Sequence, residues 1–166
     1  MDTTGKFVFE TAISDCKIAF LPHDLMLPGM FGGPLLNKAE NFAREVAERH
    51  AEASCEMECI DFVKMCSPVK KNDCFYCKAA VTKAWPGLVE VMVKIVAEDF
   101  RSLERRDILN AYFTFKTHSG DNLIFVPVIP ETEEQKNLYF SAEKRRGMRS
   151  NPVYTDSSGC FGKQLK

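Results

Sequence analysis

The chain has 166 residues, of which 45% are hydrophobic and 27% charged, and its formal net charge is −1. Thirteen Phe and this apolar content exclude a wholly disordered protein, because such chains lack the apolar residues that build a core. The near-zero charge provides no general attraction to a polyanion. Nucleic-acid binding would therefore need a local basic patch.

Targeting signals are not evident. The chain opens MDTTGKFVFE, without the basic start and long apolar run of a secretory signal. No stretch approaches the ~20 apolar residues that span a bilayer. With seven cysteines, an odd number, we expect mostly unpaired thiols in a reducing compartment, and hence a cytoplasmic, non-exported protein without a membrane span.

The first two segments differ in character. Residues 6–21 alternate apolar and polar side chains, which predicts a hairpin or two short strands. Residues 22–36 combine Pro and Gly with many large apolar side chains, so this loop either caps the core or forms an exposed contact surface. In the second case Met26, Met30 and Phe31 are the candidate partner-binding residues.

A long helix is the next predicted element. Asn37 is a suitable N-cap with Glu40 three residues on, and no Gly or Pro follows until Pro68. At ~100° per residue an apolar stripe includes His50, which we interpret as a core or boundary histidine. The other stripe residues are Phe42, Val46, Ala53, Met57 and Ile60.

The cysteines fall on the opposite side of this predicted helix. Cys55, Cys59 and Cys66 lie within about 40° of one another. Residues 67–73 then predict a turn, and CFYCKAAVTKAW a knuckle and short helix, so that 38–85 would form a Cys-rich helical hairpin. Cys74 and Cys77 would return beside the first cysteines.

Four of these thiols form a candidate metal site. Cys55, Cys59, Cys74 and Cys77 have the spacing C-x3-C and C-x2-C, which favours structural zinc held by four converging sulfurs. Cys66 could join only if the helix ended near Phe62. The alternatives are unliganded buried thiols, disulfides or an iron–sulfur cluster.

Two further elements are predicted before the tail. Residues 88–105 carry a strand-like alternation of Val and Ile, but their length without a turn signal and Pro86 favour a buried helix, with a strand followed by a short helix as the alternative. Residues 108–130 predict a β-hairpin with HSGDN as its turn. Pro127 would place the second arm at a sheet edge.

The C-terminal segment differs in composition. Residues 141–166 contain six basic and two acidic residues, a net +4, with few large apolar side chains. This pattern predicts a flexible tail that either solubilises the protein or contacts a nucleic-acid backbone. The candidate contacts are Lys144, Arg145, Arg146 and Arg149.

The sequence therefore predicts an α+β protein in which helices pack on a small antiparallel sheet, with one domain over 1–140 and the tail beyond it. Without a catalytic constellation, it favours a non-enzymatic regulatory or interaction protein that is stabilised by zinc or thiols and binds a protein or nucleic acid. The alternative is a small metal- or cysteine-dependent enzyme. Cys74 or Cys77 would then be nucleophile or ligand, with His23 or His118 as base.

Overall fold

The computed structural model describes residues 5–18, 32–70, 73–119 and 122–149. Within these residues three helices pack on an antiparallel sheet, which confirms the predicted α+β class. In chain order the elements are β1 (Lys6–Phe7), α1 (Val8–Thr11), β2 (Ile13–Ile18), α2 (Gly32–Ala51), β3 (Cys55–Met65), β4 (Asp73–Trp85), β5 (Leu88–Asp99), β6 (Arg105–Ser119), β7 (Asn122–Leu123), β8 (Val128–Ile129) and α3 (Glu133–Arg149).

The main sheet has the strand order β2-β4-β5-β6-β3, and every pairing in it is antiparallel. The short β7 extends the sheet by pairing with the end of β6, while β1 and β8 form a separate parallel pair. Among the described residues, strands β2 and β3 are therefore the two edges of the main sheet. This order determines which side chains can meet.

Helix α2 lies across one face of the main sheet and supplies the centre of the core. Its contact face is rich in small residues, since Ala39, Ala43 and Ala47 are fully buried, and this allows helix and sheet to approach closely. Alternate side chains of β5 pack against this face of the helix, in agreement with the two-residue period of a strand. These are Val89, Val91, Val93, Ile95 and Ala97.

The predicted long helix is wrong beyond residue 51. Helix α2 ends at Ala51, and Glu52 adopts φ 55, a left-handed C-terminal conformation usually supplied by Gly. Lys6 donates to the carbonyls of Arg49 and His50 at 3.0 Å each, which satisfies the exposed end of the helix. The chain then enters β3, so the predicted helical hairpin over 38–85 is instead a helix followed by two strands.

The helix favoured for residues 88–105 is also wrong, and its strand alternative is closer. Pro86 and Gly87 occupy the centre of a tight turn between β4 and β5, in which Trp85 pairs directly with Leu88. Gly87 has φ 74, which a glycine adopts without a Cβ penalty. The alternation of Val and Ile is therefore that of a strand. Its odd-numbered side chains face α2, and its even-numbered side chains face the other side of the sheet.

The remaining predicted β elements form with different partners. Residues 6–21 contain two short strands, β1 and β2, but α1 separates them and they join different sheets. The predicted 108–130 hairpin survives as β6 and the two-residue β7, with Ile124 donating to the Thr117 carbonyl. The second arm then leaves the sheet before reaching β8.

Candidate functional site

The four cysteines predicted to bind zinc do not converge. Cys55 and Cys59 lie on β3, whereas Cys74 and Cys77 lie on β4, and two strands separate β3 from β4. Three inter-strand spacings amount to roughly 14 Å, too far for one tetrahedral zinc. Cys74 and Cys77 also point to opposite faces, because three residues on a strand reverse the side-chain direction.

Burial also changes the ionisation of two of these thiols. It raises the pKa of Cys55 to about 11 and that of Cys77 to about 12, so both are neutral thiols at pH 7. Across residues 5–18, 32–70, 73–119 and 122–149, no three His, Cys, Asp or Glu side chains are placed to hold a metal ion. The predicted four-cysteine cluster does not form, because strands β3 and β4, and not a helical hairpin, carry the two cysteine pairs.

The basic residues predicted as a flexible contact tail belong to helix α3. Arg145 is buried and Arg149 is half-buried, and both point toward the sheet. Arg146 lies over the Trp85 ring at 5.0 Å, while Lys144 is exposed. Within residues 141–149, Arg145 and Arg149 therefore use their charge in contacts with the sheet, so these two side chains are not available to a nucleic-acid backbone.

The inward arginines meet a polar cluster on the sheet face opposite α2. Arg145 donates to both carboxylate oxygens of Glu90, at 2.7 and 3.0 Å, and stacks over the Tyr112 ring at 3.8 Å. Thr82 donates to Glu90 Oε1 at 2.5 Å. The Glu90 side chain is fully buried, so this bidentate pair replaces the hydration that the carboxylate loses.

One helical turn later, Arg149 makes the second half of the cluster. Its Nη1 donates to Thr114 Oγ1 at 2.7 Å and to Cys59 Sγ at 2.8 Å, and its Nε lies 3.4 Å from Asp61 Oδ2. Thr114 sits between Glu90 on β5 and Cys59 on β3 in the pairing register. Four adjacent strands thus contribute to one polar layer beneath α3.

Burial dominates the electrostatics of this layer. It raises the pKa of Asp61, opposed by the charge of Arg149, and it likewise raises the pKa of Cys59. The two carboxylates and two guanidinium groups balance one another. The charges of this layer are paired with one another and mostly buried. We therefore interpret the layer as a structural contact that attaches α3 to the sheet.

A second polar group joins α2 to the edge strand β3 and is more open. Arg44 binds Glu40 Oε1 at 2.7 Å and donates to the carbonyl of Cys55 at 2.6 Å. Glu48 accepts from the backbone N–H of Cys55 at 3.3 Å. The Glu40 side chain remains 24% exposed, so its carboxylate is both oriented and accessible to a small molecule.

His50 confirms its predicted place in the core, at 2% exposure. Its Nε2 lies 2.8 Å from the carbonyl oxygen of Val126, beside a small pocket at the C-terminal end of α2. Burial lowers the pKa of His50, so the ring is neutral. The pocket is otherwise mainly apolar and is lined by Ala51, Ala84, Trp85, Leu88, Val89, Thr117, Ile124 and Val126.

Several predicted residues lie outside the described part of the chain. These are Met26, Met30 and Phe31 of the apolar loop, and His23. His118 is the penultimate residue of β6 and pairs with Leu123 of β7. Among the described residues, no helix has the length and apolar character needed to cross a bilayer.

The sequence predicted other roles for several residues of the two polar groups, with Cys59 as a metal ligand and Arg145 and Arg149 as partner contacts, and it gave no role to Glu90 or Arg44. Asn37 and Glu40 were interpreted as a helix cap, but α2 begins five residues earlier at Gly32, which places both inside the helix. Glu90 interrupts an otherwise apolar run, and Arg145 and Arg149 are spaced i, i+4. A lone carboxylate in a buried strand and two arginines on one helix face were the available signals.

Comparison with known proteins identifies relatives of one kind. The chain is 31% identical over 127 residues to the uncharacterized acyl-CoA thioester hydrolase YkhA of Bacillus subtilis (strain 168), covering 74% of this chain and 72% of the relative. It is 32% identical over 126 residues to acyl-coenzyme A thioesterase 11 of Mus musculus, covering 75% of this chain but 21% of that protein. No protein-family model matches.

The fold agrees with these relatives. The crystal structure of an acyl-CoA hydrolase from Bacillus cereus superposes with a TM-score of 0.82 and 28% identity, over 95% of this chain and 100% of the other. The predictions of a non-enzymatic, regulatory or nucleic-acid-binding protein are therefore wrong, and the alternative of an enzyme is closer. The chain belongs to the acyl-CoA thioester hydrolases and has the hotdog fold of these thioesterases.

Proposed function

We propose that this chain hydrolyses the thioester bond of acyl-CoA. Water adds to the thioester carbonyl carbon, the carbon–sulfur bond breaks, and the products are a free carboxylic acid and CoA with a thiol. The observation that carries the proposal is the 31% identity to a thioester hydrolase across most of both chains. The matching fold of a second hydrolase supports it.

Glu40 is our proposed water-activating group. A general base must be able to contact the substrate water. Glu40 meets this requirement through its 24% exposure, and Arg44 orients the carboxylate by binding one of its two oxygens. Its second oxygen would accept the proton as water attacks the carbonyl.

The other acidic groups fit this role less well. Glu90 is fully buried and saturated by Arg145 and Thr82, so a substrate cannot reach it without removing α3. Asp61 is 15% exposed and is paired with Arg149 in the same closed layer. Glu40 instead lies beside the open edge of the sheet, where β3 has a strand neighbour on one side within the described residues.

The leaving group needs little assistance from the protein. A thiolate is a far weaker base than an alkoxide, because an ordinary thiol has a pKa near ~8.5, so the thiolate departs readily once water has added. The residues must therefore mainly orient the water and the carbonyl. Arg44 keeps the Glu40 carboxylate in position because the other terminal nitrogen of the guanidinium group donates a hydrogen bond to the Cys55 carbonyl.

The test compares two matched glutamates on the same helix. We expect Glu40→Gln to lower kcat/KM for acyl-CoA by roughly 100-fold or more, because the amide cannot accept the proton. Glu45 forms the same i, i+4 pair with Arg49 on the exposed side of α2, so Glu45→Gln should leave the rate within about twofold of wild type. Hydrolysis should be followed by the loss of thioester absorbance, because Cys16 is exposed and reacts with thiol reagents.

The outcomes separate the site from the activity. Equal rates for the two variants would reject Glu40 as the base while leaving the hydrolase proposal intact. A wild-type protein without hydrolysis across short, medium and long acyl-CoA would reject the function itself. Circular dichroism of each variant excludes unfolding as the cause of any loss.

We also propose that the protein partner is a second copy of this chain. Strand β3 is an 11-residue edge strand with apolar side chains open to solvent, since Phe62 is 56%, Val63 43% and Met65 50% exposed. A long edge with unpaired backbone groups and apolar side chains invites pairing with another strand. Glu40 and Arg44 lie beside this edge, so a second copy would approach the proposed site.

A further inference from the structure

Two cysteines lie directly opposite one another on neighbouring strands. In the antiparallel pairing of β2 with β4, Cys16 is the register partner of Cys77. Directly opposed residues share a sheet face and have Cα atoms about 4.5 or 5.5 Å apart, depending on the hydrogen-bonding pattern. Both values lie within the roughly 4.4–6.8 Å that a disulfide spans. The two thiols are free in this structure.

A bulge creates this opposition. The register shifts between Ile13 and Cys16, and Asp15 within the bulge has φ 52. Asp15 is held there by ion pairs to Lys78 at 3.6 Å and Arg105 at 3.3 Å. The bulge therefore has its own stabilising contacts, and it aligns Cys16 with Cys77.

The two thiols have unequal access to reagents. Cys16 is exposed on the edge strand, whereas Cys77 is fully buried beneath the flank of α2. Burial, together with the nearby Cys16 and Glu45, raises the pKa of Cys77 to about 12. Cys77 therefore does not react with solvent oxidants by itself, and Cys16 is the point at which an oxidant enters.

No other cysteine in the described ranges competes for Cys16. Cys74 lies on the opposite face of β4 from Cys77 and pairs with Glu98. Cys55 and Cys59 belong to β3 at the far edge of the sheet, and Cys66 directly follows the end of that strand. The strand order thus leaves Cys77 as the neighbour of Cys16.

We propose that Cys16 and Cys77 form a reversible cross-strand disulfide when the protein meets a peroxide. The Cys16 sulfur attacks one peroxide oxygen and the O–O bond breaks, which converts the Cys16 thiol to a sulfenic acid. When the oxidant is hydrogen peroxide, the other product of this step is water. The Cys77 sulfur then attacks the Cys16 sulfur, its proton passes to the departing hydroxyl, and the S–O bond breaks with release of a second water. A dithiol reductant returns two electrons and two protons and restores both thiols.

The bond would fasten the edge strand β2 to the sheet interior. It closes a loop of roughly 60 residues, so the unfolded chain loses conformational freedom and the melting temperature should rise by several degrees. This inference is independent of the hydrolase function, because neither thiol belongs to the proposed site. Failure of one proposal leaves the other untouched.

Peptide mapping of the intact chain provides the test. The protein is treated with hydrogen peroxide, remaining thiols are alkylated, and tryptic fragments are analysed without reduction. We expect residues 7–17, which contain Cys16, to be linked to residues 72–78, and the link to disappear after dithiothreitol. The second fragment contains both Cys74 and Cys77, so variants must separate them.

Cys74→Ser is the matched control, and it should retain the link, while Cys77→Ser should lose it. Cys16→Ser, at an exposed position, should abolish the peroxide-dependent rise in melting temperature without affecting the reduced protein. The proposal is overturned if the link survives in Cys77→Ser. It is also overturned if Cys16 is oxidised alone, or joins another chain, while Cys77 remains alkylatable in folded wild-type protein.

Discussion

The charge of His50 is restricted by its surroundings. The ring is buried at the C-terminal end of α2, where the Lys6 ammonium binds the last helix carbonyls, and Glu10 is the nearby acidic group. Burial is the main cause that lowers the pKa of His50 from 6.5, Lys6 adds to it, and the Val126 carbonyl and Glu10 oppose it. The folded protein therefore favours the neutral imidazole.

We expect His50 to make the free energy of unfolding decrease in acid. Well above pH 6.5, the pKa of this group in the unfolded chain, the ring is neutral in both states and contributes no pH dependence. As the pH falls below 6.5, the unfolded chain takes up the proton more readily than the folded one, so the free energy of unfolding decreases. We expect wild type to lose more stability than His50→Gln between about pH 7.5 and about pH 5.5.

Equilibrium denaturation in urea at the two pH values measures this difference. Gln can still donate to the Val126 carbonyl, so the variant removes the titration and keeps the hydrogen bond. The pKa of Asp61 is raised in the folded protein, so protonation of this carboxylate increases the free energy of unfolding as the pH falls. This contribution is the same in wild type and in the variant, and it cancels when the two proteins are compared. Identical pH dependence in the two proteins would refute the role assigned to His50.

At the scale of elements, the attachment of α3 depends on one buried ion pair. Arg145→Met leaves the Glu90 carboxylate without its partner in a fully buried position. Such an unpaired charge costs about 3–5 kcal/mol of unfolding free energy. The neighbouring exposed Lys144 serves as control, and Lys144→Met should change stability by less than about 0.5 kcal/mol.

A double variant distinguishes the ion pair from lost packing. Glu90→Leu combined with Arg145→Met removes both charges, so it should recover much of the stability that Arg145→Met loses. Denaturant midpoints and slopes for the single and double variants provide the comparison. Equal stability of Arg145→Met and Lys144→Met would mean that α3 is not held by this pair.

The α+β class and the strand-forming alternation of β6 were accessible from the sequence, but several boundaries were not. Helix α2 ends at a left-handed Glu52 without Gly or Pro, and the cap that stabilises this end comes from Lys6, 46 residues away in sequence. Local patterns cannot record such a contact. For β5, the strand alternation outweighed Pro86 because Pro86 belongs to a turn, not to a helix start.

The functional residues were harder to predict than the fold for a related reason. The metal hypothesis rested on cysteines that are near one another in sequence. In the sheet, however, strands β5 and β6 lie between the two strands that carry these cysteines. The polar layer instead joins Glu90 to Arg145, 55 residues apart, and Cys59 to Arg149, 90 residues apart. These partners meet only through the sheet register and the placement of α3.

At the scale of the whole molecule, the open edge of β3 predicts self-association. We expect Val63→Lys combined with Met65→Lys to shift the wild-type oligomer toward monomer, because charged side chains on an edge oppose strand pairing. Leu103→Lys is the control, since Leu103 is 69% exposed in the turn between β5 and β6 and lies off this edge. Light scattering coupled to gel filtration measures the molecular mass of all three proteins.

A monomeric wild type at tens of micromolar would contradict the proposed pairing. An oligomer that persists in the Val63 and Met65 variant, but not in the Leu103 variant, would move the interface elsewhere. If the second copy also shapes the site beside Glu40, monomerisation should lower kcat/KM together with the mass.

The most direct test of the account is product analysis of the acyl-CoA reaction in water enriched in heavy oxygen. We predict that the purified chain releases free CoA and carboxylic acid in equal amounts, with one heavy oxygen in the acid carboxyl group, detected by mass spectrometry. The Glu40→Gln protein should release both products far more slowly. Intact acyl-CoA after prolonged incubation, or release of CoA without heavy oxygen in the acid, would contradict thioester hydrolysis by this protein.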